Sequence, residues 1–498
     1  MKAAVVGLLA AAAIAAGVVL SGAPGSPAAM TGPTMTQPPA SAPTPAVPLQ
    51  AAPGATGRPL REPTVYASRH GVLDVTLVAS RRRVTIAGRS VLADVYNGSF
   101  VAPTLIVSPG DLVRVKLVDH LRQPTNLHFH GLEVSPSGDA DNIFVSVDPG
   151  HVFQYSFRLP RSAPTGTFWY HSHEMVPMSA MRRYPDTGSE EQVFDGLSGL
   201  LEVRGLSDDL PKSLRGLPQR FLALRDVQVV GDRITSTDID SAAPTTRLID
   251  GQYQPKVRIA PGQTELWHIA NIGADIFYRL ALRGQSFEII AQDGHPVIHP
   301  ERVATLLLAP GKRWDVLVRG DRVGAAPLRT LPYDEGDDHY PSATLATVVT
   351  GGRAQSPARA PSVISWASVN LARARVTRRR TVVFSENRLG TEFFIDGRSY
   401  DPGRIDFHAR LGTVEQWTIV NHTDETHPFH MHTYPMQAIS VNGVPVPFDG
   451  DQDEIVLPSR GYVVVRVRFS GYTGVTVFHC HILAHEDAGM MANIEVSR

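Results

Sequence analysis

The stretch FHCHILAHEDAGMM, from Phe478 to Met491, places the single cysteine of the chain among three histidines. Successive side chains of a β-strand point to opposite faces, so Cys480 faces away from its neighbours His479 and His481. Cys480 has no possible disulfide partner within the chain. It is therefore either a small buried hydrophobe or a metal ligand whose two neighbours serve a second metal site.

The residues around this cysteine match one metal chemistry. Two histidines, one cysteine thiolate and a weak axial methionine form the ligand set of a blue-copper electron-transfer site. The sequence supplies this set in His427, Cys480, His485 and Met490. Because the neighbours of Cys480 would serve another site, one short covalent path would link two metal sites. An enzyme that takes up electrons at one metal and uses them at others needs such a path.

Histidine pairs separated by one residue occur four times. Random placement of 19 histidines in 498 residues gives roughly 0.7 such pairs, so four is a clear excess. On a strand, both members of a pair face the same side and can reach one metal site. The pairs are His128/His130, His171/His173, His430/His432 and His479/His481.

Eight paired imidazoles are more than a single metal ion needs. A zinc ion takes four ligands, so the four pairs indicate a multinuclear cluster. All four lie within residues 128–173 and 430–481, and the long middle stretch between these ranges has none. We expect the nine histidines outside these two ligand sets to be ordinary surface or turn residues.

Short β-type runs separated by glycine and proline recur from Thr64 onward, and long helical periodicity is scarce. This pattern predicts an all-β protein built from β-sandwiches. A loose repeat of glycine, polar pair, alternating apolar residues and polar turn supports three similar units. The repeat occurs in Ser108–His120, Ala260–Gly273 and Arg410–Thr423. We place the three domains at about 64–205, 215–352 and 360–498.

From about residue 64 to Arg498 the chain resembles the three-domain multicopper oxidases of the laccase-like and cuprous-oxidase group. The resemblance rests on the four histidine pairs, the Cys480 motif and further segments outside the ligands. It implies a cupredoxin-type Greek-key β-sandwich for each domain, with the middle domain free of copper ligands. The further segments are Gln192–Val203, Leu248–Pro255, Ala309–Val318 and Phe393–Asp406.

The resemblance also implies four copper ions: one type 1, one type 2 and a type 3 pair. His427, Cys480, His485 and Met490 would hold the type 1 copper. His128 and His430 would hold the type 2 copper. The type 3 pair would be held by His130, His171, His173, His432, His479 and His481.

Two carboxylates are predicted to supply the protons that dioxygen reduction consumes, because a carboxylate beside a metal cluster can act as a general acid. Glu486 directly follows the ligand His485. Its alternative role is a structural hydrogen bond to a ligand. Asp139 lies nine residues after His130, where the family carries a buried acid, and Asp141 is its competitor.

Three methionines in the segment Glu174–Glu191 recur every third residue: Met175, Met178 and Met181. Thioethers are soft ligands, so the segment could receive Cu(I). The interpretation that we favour is that the three side chains pack a lid onto the domain. With export, this segment motivates the hypothesis of a role in copper tolerance.

The N-terminus has the features of an export signal. Met1 and Lys2 precede an apolar run from Ala3 to Leu20 that is followed by small residues. We expect residues 1–30 to be a signal peptide or an uncleaved anchor, and the protein to be periplasmic, held at the cell envelope or secreted. Residues 31–63 are rich in proline and alanine and are predicted to form a flexible tether.

The balance of charge excludes some partners. The chain has 47 Lys+Arg and 48 Asp+Glu, for a formal net charge of −1. Nothing in this balance favours nucleic acid or an anionic membrane, so contact with a membrane is expected only through the N-terminal segment. We expect a monomer whose partners are dioxygen and a small-molecule or metal-ion reductant.

Three function classes follow. The first is an oxidase that couples one-electron oxidation of phenols, aromatic amines or Cu(I) to the four-electron reduction of dioxygen to water. The second is an exported copper-binding protein without turnover. The third is a division-associated relative that has lost its copper ligands, and the complete ligand set of this chain argues against it.

Overall fold

A computed structural model of the chain describes residues 46–175, 188–210, 212–235, 244–336, 338–364 and 368–498. Within these ranges strands dominate, and the α-helices are short: α1 (Ser189–Asp195), α2 (Leu206–Asp209) and α3 (Leu483–Asp487). The prediction of an all-β protein is confirmed. No helix in the described ranges is long and apolar enough to cross a membrane. The apolar run near the N-terminus lies outside them.

The first sandwich packs a sheet in the order β4-β3-β6-β7 on a second sheet in the order β2-β5-β9-β8. Its core is filled by buried apolar side chains such as Leu77, Val115 and Tyr155. An additional strand, β1, precedes it and pairs elsewhere. The strands are β1 (Val47–Pro48), β2 (Val65–Ala67), β3 (Val72–Ile86), β4 (Arg89–Tyr96), β5 (Thr104–Val107), β6 (Leu112–His120), β7 (Val152–Arg158), β8 (Gly166–His171) and β9 (Ser198–Val203).

The second sandwich has the sheets β17-β16-β19-β14-β10 and β13-β23-β20-β15-β18, and β12 also pairs with β10. The short strand β11 pairs with both β10 and β4, so one sheet continues from the first sandwich into the second. The strands are β10 (Gln219–Val230), β11 (Arg233–Ile234), β12 (Thr246–Ile249), β13 (Lys256–Ile259), β14 (Thr264–Asn271), β15 (Tyr278–Leu282), β16 (Phe287–Gln292), β17 (His295–Val303), β18 (Thr305–Leu308), β19 (Arg313–Arg319), β20 (Gly324–Leu331), β21 (Tyr333–Asp334), β22 (His339–Tyr340) and β23 (Ala343–Thr350).

The third sandwich has the sheets β25-β24-β27-β32-β29-β30 and β26-β34-β33-β28-β31. Parallel and antiparallel pairs are mixed in both sheets. The strands are β24 (Arg378–Glu386), β25 (Phe393–Ile395), β26 (Phe407–Arg410), β27 (Val414–Asn421), β28 (His427–Met431), β29 (Met436–Val441), β30 (Val444–Pro445), β31 (Glu454–Leu457), β32 (Tyr462–Arg468), β33 (Gly474–Cys480) and β34 (Met491–Ser497).

The sequence repeat has a structural counterpart in the second and third sandwiches. In each, a tryptophan indole donates a hydrogen bond to a glutamate two residues earlier, at 2.8 Å and 3.0 Å. An arginine on the neighbouring parallel strand donates hydrogen bonds from two guanidinium nitrogens to the same glutamate. The repeat therefore marks one local arrangement used twice. Its members are Arg220, Glu265 and Trp267 in the second sandwich, and Arg380, Glu415 and Trp417 in the third.

The predicted flexible tether, residues 31–63, is wrong over its described part, 46–63. Strand β1 pairs with β10, and Leu49 is 7% exposed within the core. The hydroxyl of Thr246 donates to the carbonyl of Leu49 at 2.8 Å, and the Leu60 amide donates to Lys256 at 2.9 Å. Composition indicated a tether because large apolar residues are rare there. One buried leucine and a set of backbone hydrogen bonds are enough to hold the segment on the second sandwich.

We predict that Leu49→Ala destabilises the second sandwich by about 2 kcal/mol or more, because the substitution leaves a cavity in the core. The measurement is the urea midpoint of the copper-free protein. Val47→Ala is the control, because Val47 is 49% exposed on the same segment. Equal urea midpoints for both variants and the wild type would instead support the prediction of a flexible tether.

Candidate metal centre

The first sandwich presents four histidines, two at the end of β8 and two on a neighbouring loop. His171 is the last residue of that strand, and His173 lies two residues beyond it. The loop that carries His128 and His130 runs beside the strand, and the backbones of His128 and His171 exchange hydrogen bonds of 2.8 Å and 3.1 Å. This bridge fixes the two pairs next to each other.

The third sandwich presents its four histidines from neighbouring antiparallel strands. His430 on β28 lies directly opposite His479 on β33. His432 and His481 each follow two residues later, just past the ends of their strands. The strand register therefore brings the second two pairs together, as the i, i+2 spacing predicts.

The eight histidines meet between the first and third sandwiches, and each is at most 1% exposed. The Nε2 atoms of His173 and His479 are 3.4 Å apart, and those of His432 and His479 are 3.0 Å apart. His130 Nδ1 lies 3.2 Å from His481 Nε2. The structure thus brings together all eight residues that the sequence predicted as cluster ligands.

The ring nitrogens of these histidines fit a metal cluster. His171 and His479 direct Nδ1 at backbone carbonyls, at 2.7 Å and 2.8 Å. His430 directs Nδ1 at the carbonyl of Asp453 at 2.9 Å. The Nε2 atoms of His128, His171 and His430 are buried without a hydrogen-bond partner among the described residues. A buried imidazole nitrogen with a free lone pair is an ordinary metal ligand.

Burial favours the neutral form of His128, His130, His173 and His432. It lowers the pKa well below the ordinary histidine value for His128, His130 and His432, and neighbouring histidines lower it further. For His173, burial lowers the pKa to about 4. Neutral imidazole is the form that binds metal.

A second group lies on the other face of β33. Cys480 Sγ is 3.4 Å from His427 Nδ1 and 3.8 Å from His485 Nδ1, and these two nitrogens are 3.3 Å apart. The Thr423 hydroxyl lies 2.7 Å from His427 Nε2, so Nδ1 is the nitrogen left for a ligand bond. Burial lowers the pKa of His427 to about 3 and raises the pKa of the Cys480 thiol.

Met490 lies beside this group. It is fully buried. Its carbonyl accepts from the Cys480 amide at 3.1 Å, and its amide donates to the carbonyl of His485 at 2.8 Å. These bonds place the methionine backbone at the same corner as the cysteine and as His485, which lies in helix α3.

The structure corrects the choice between the two aspartates. Asp139 is exposed. Asp141 is buried, and its Oδ1 accepts from the Phe129 amide at 2.9 Å and lies 3.0 Å from His128 Nδ1. Burial raises the pKa of Asp141 to about 8. The prediction of Asp139 as the buried acid is therefore wrong, because a spacing counted along an irregular loop does not fix which residue turns inward.

Glu486 lies at the cluster, as its position after His485 predicted. Its carboxylate oxygens are 3.0 Å from His479 Nδ1 and 3.5 Å from His173 Nδ1. The Ser189 hydroxyl at the start of α1 donates to it at 3.0 Å. Glu486 is 1% exposed and touches histidines from both sandwiches.

Sequence reasoning missed Asp453 and Arg313. Asp453 Oδ1 lies 3.0 Å from His130 Nε2 and accepts from Arg313 Nη1 at 2.8 Å. Burial alone would raise the pKa of Asp453, but the charge and hydrogen bonds of Arg313 hold it below its usual range. The only signal in the sequence was the family-like segment Ala309–Val318, which contains Arg313 but shows no role for it.

Two expectations outside the ligands have mixed outcomes. Met175 is half-buried against Ile143, Val477 and Met491, whereas Met178 and Met181 lie outside the described residues.

Seven of the nine other histidines are exposed. His268 and His295 are buried instead, and His268 Nδ1 lies 2.6 Å from Asp315. Their buried positions correct the expectation of surface or turn residues.

Fold and site together define a copper-dependent oxidase, and comparison with known proteins agrees. Family models described as multicopper oxidase match residues 79–204, 213–327 and 372–498. The chain belongs to the multicopper oxidase family. It is an oxidoreductase whose cofactor is copper. Copper binding without turnover, the second function class above, is not favoured by these relatives.

Individual relatives cover most of the chain. A multicopper oxidase of Staphylococcus aureus is 28% identical over 413 residues, 81% of this chain and 83% of that protein. The cell division protein FtsP of Shigella dysenteriae is 26% identical over 421 residues, 79% of this chain and 82% of that protein. A solved multicopper oxidase from Campylobacter jejuni, described as a metallo-oxidase, superposes with a TM-score of 0.78 at 24% identity. The superposition covers 92% of this chain and 99% of that chain, and it establishes the cupredoxin-like fold.

We predict that Asp141→Asn weakens the affinity of the histidine cluster for copper by about 10–100-fold, because it alters the partner that orients His128. The measurement is copper retained per chain after dialysis against a chelator. Asp139→Asn is the matched control, because the same change is made on an exposed side chain two residues away. Equal copper retention by both variants would contradict the role of Asp141 as the partner that orients His128.

Proposed function

We propose that the chain holds four copper ions in three kinds of site. The type 1 copper is bound by His427, Cys480, His485 and Met490. The type 2 copper is bound by His128 and His430, whose buried Nε2 atoms have no hydrogen-bond partner among the described residues. The remaining six histidines, His130, His171, His173, His432, His479 and His481, form two groups of three around the type 3 pair. Close contacts within His173, His432 and His479 support this grouping.

The observation that carries the proposal is the position of Cys480 between His479 and His481 on β33. Because alternate residues of a strand face opposite sides, one strand contributes to both metal groups. Bound copper would supply one-electron redox chemistry at each group. The backbone of this short segment is then the covalent connection between the site of electron uptake and the site of dioxygen reduction.

The reductant is an electron-rich phenol, an aromatic amine or Cu(I). Met490 would be a weak ligand of the thiolate-bound copper, and the resemblance to the family implies that a methionine here goes with a low blue-copper potential, so easily oxidised donors are expected. The Campylobacter jejuni protein, described as a metallo-oxidase, supports a metal ion. Export, on which the compartment of the reaction depends, rests on the N-terminal run Ala3–Leu20 alone.

We predict oxygen uptake by the copper-loaded protein with Cu(I) or a dimethoxyphenol as reductant, measured with an oxygen electrode. Cys480→Ser is the blank, because it removes the thiolate and leaves the eight cluster histidines. Faster uptake with Cu(I) identifies a cuprous oxidase, and faster uptake with the phenol identifies a laccase. Uptake no faster than the blank with either donor would contradict turnover and favour copper storage.

We further propose that Glu486 delivers protons to the cluster, since it is buried and contacts histidines of both sandwiches. We expect Glu486→Gln to lower the turnover number by about 100-fold or more while copper content stays near that of the wild type. The measurement pairs oxygen uptake with the solvent deuterium isotope effect, which should rise. Copper lost in parallel with activity would instead assign Glu486 a structural role.

A further inference from the structure

Arg313 is the point where the three sandwiches meet next to the histidine cluster. It begins β19 of the second sandwich, which supplies none of the predicted ligands, and it is fully buried. Its guanidinium donates to both carboxylate oxygens of Asp453 in the third sandwich, at 2.8 Å and 2.5 Å. It also donates to the carbonyl of Thr167 on β8 at 3.3 Å and to that of Gly311 at 3.0 Å.

Asp453 in turn faces two of the cluster histidines. Its carboxylate Oδ1 lies 3.0 Å from His130 Nε2 and 3.4 Å from His430 Nδ1, and its backbone carbonyl lies 2.9 Å from His430 Nδ1. Both oxygens accept hydrogen bonds, so His130 carries its proton on Nε2 and His430 carries its proton on Nδ1. The lone pairs are then on His130 Nδ1, which lies 3.2 Å from His481, and on His430 Nε2, which has no hydrogen-bond partner in the described part of the chain.

His130 therefore presents Nδ1 to the cluster and His430 presents Nε2. Asp453 contacts the other ring nitrogen of both histidines. A carboxylate that can rotate would not hold His130 in this orientation. The planar fork of an arginine binds both carboxylate oxygens at once and fixes the carboxylate plane, which a lysine cannot do. Lys312, the preceding residue, binds a different carboxylate, that of Asp293, at 2.7 Å, and Arg313 Nη1 lies 3.6 Å from the same aspartate.

We propose that Arg313 is a positioning residue of the copper cluster: through Asp453 it fixes the ring orientation and tautomer of His130 and His430. The middle domain, although free of ligands, thereby completes the cluster that the outer domains supply. The inference rests on the proposed assignment of these histidines as copper ligands.

The test compares four copper-loaded full-length proteins: wild type, Arg313→Gln, Arg313→Lys and Arg220→Gln. Arg220 is the matched control, because it lies in the same domain and binds Glu265 with the same two-nitrogen grip, at 3.1 Å and 3.2 Å. Three quantities are measured: copper retained per chain across a chelator series, the type 2 electron paramagnetic resonance signal, and the blue absorption of the thiolate-bound copper.

We expect Arg313→Gln to weaken the affinity of the cluster for copper by about 10–100-fold and to shift or broaden the type 2 resonance. The blue absorption should stay, because the thiolate site has no contact with Arg313. Arg313→Lys should fall between Arg313→Gln and the wild type, since it keeps the charge but loses the fork. Arg220→Gln should match the wild type in all three quantities.

Unchanged copper retention and an unchanged type 2 resonance in Arg313→Gln would overturn the inference. Equal loss of the blue absorption and the type 2 resonance would also overturn it, because that pattern indicates general loss of structure. If Arg313→Gln does not fold, the isosteric Asp453→Asn must show the same selective loss for the inference to stand. Failure of the wild type to bind copper would contradict the proposed function itself, which separates that outcome from the others.

Discussion

Burial of eight imidazoles at one interface is the constraint on which the rest of the structure depends. A ring that gained a proton there would lose a lone pair and place a charge in a site that water does not reach. Each ring nitrogen turned away from the cluster therefore needs an acceptor, so that the other nitrogen is left free. Backbone carbonyls meet this need for His171 and His479. Carboxylates meet it for His128 and His130.

Strand geometry explains why so many ligands can be encoded so compactly. Paired residues share a face within a strand and continue past its end, where the chain leaves the sheet and the second imidazole can turn into the interface. On β33 the same alternation sends Cys480 to the opposite face, toward His427 and His485. Adjacent residues of one strand thus face two different groups of ligands, and the backbone joins the two groups covalently.

The sequence predicted what local spacing controls. It predicted the all-β architecture, and the structure brings its eight paired histidines together and places His427, Cys480 and His485 in a second group. It erred where a contact depends on distant parts of the chain. A loop of irregular backbone turns Asp141 inward instead of Asp139, and the leucine at position 49 finds its core in a sandwich formed more than 170 residues later. Arg313 and Asp453 lie 140 residues apart, and no periodicity marks their pairing.

Contacts between distant parts of the chain also give a role to the middle domain, which carries no predicted ligands. Ligands divided between two sandwiches are in register only if the interface between those sandwiches is fixed. Direct contacts such as the hydrogen bond from Ser189 to Glu486 hold part of this interface. The second sandwich shares a continuous sheet with the first through β11 and reaches the third through the buried pair of Arg313 and Asp453. It therefore contacts both of the sandwiches that carry the ligand sets. A buried ion pair adds little net stability against an apolar replacement, so its value at this position lies in the orientation it imposes.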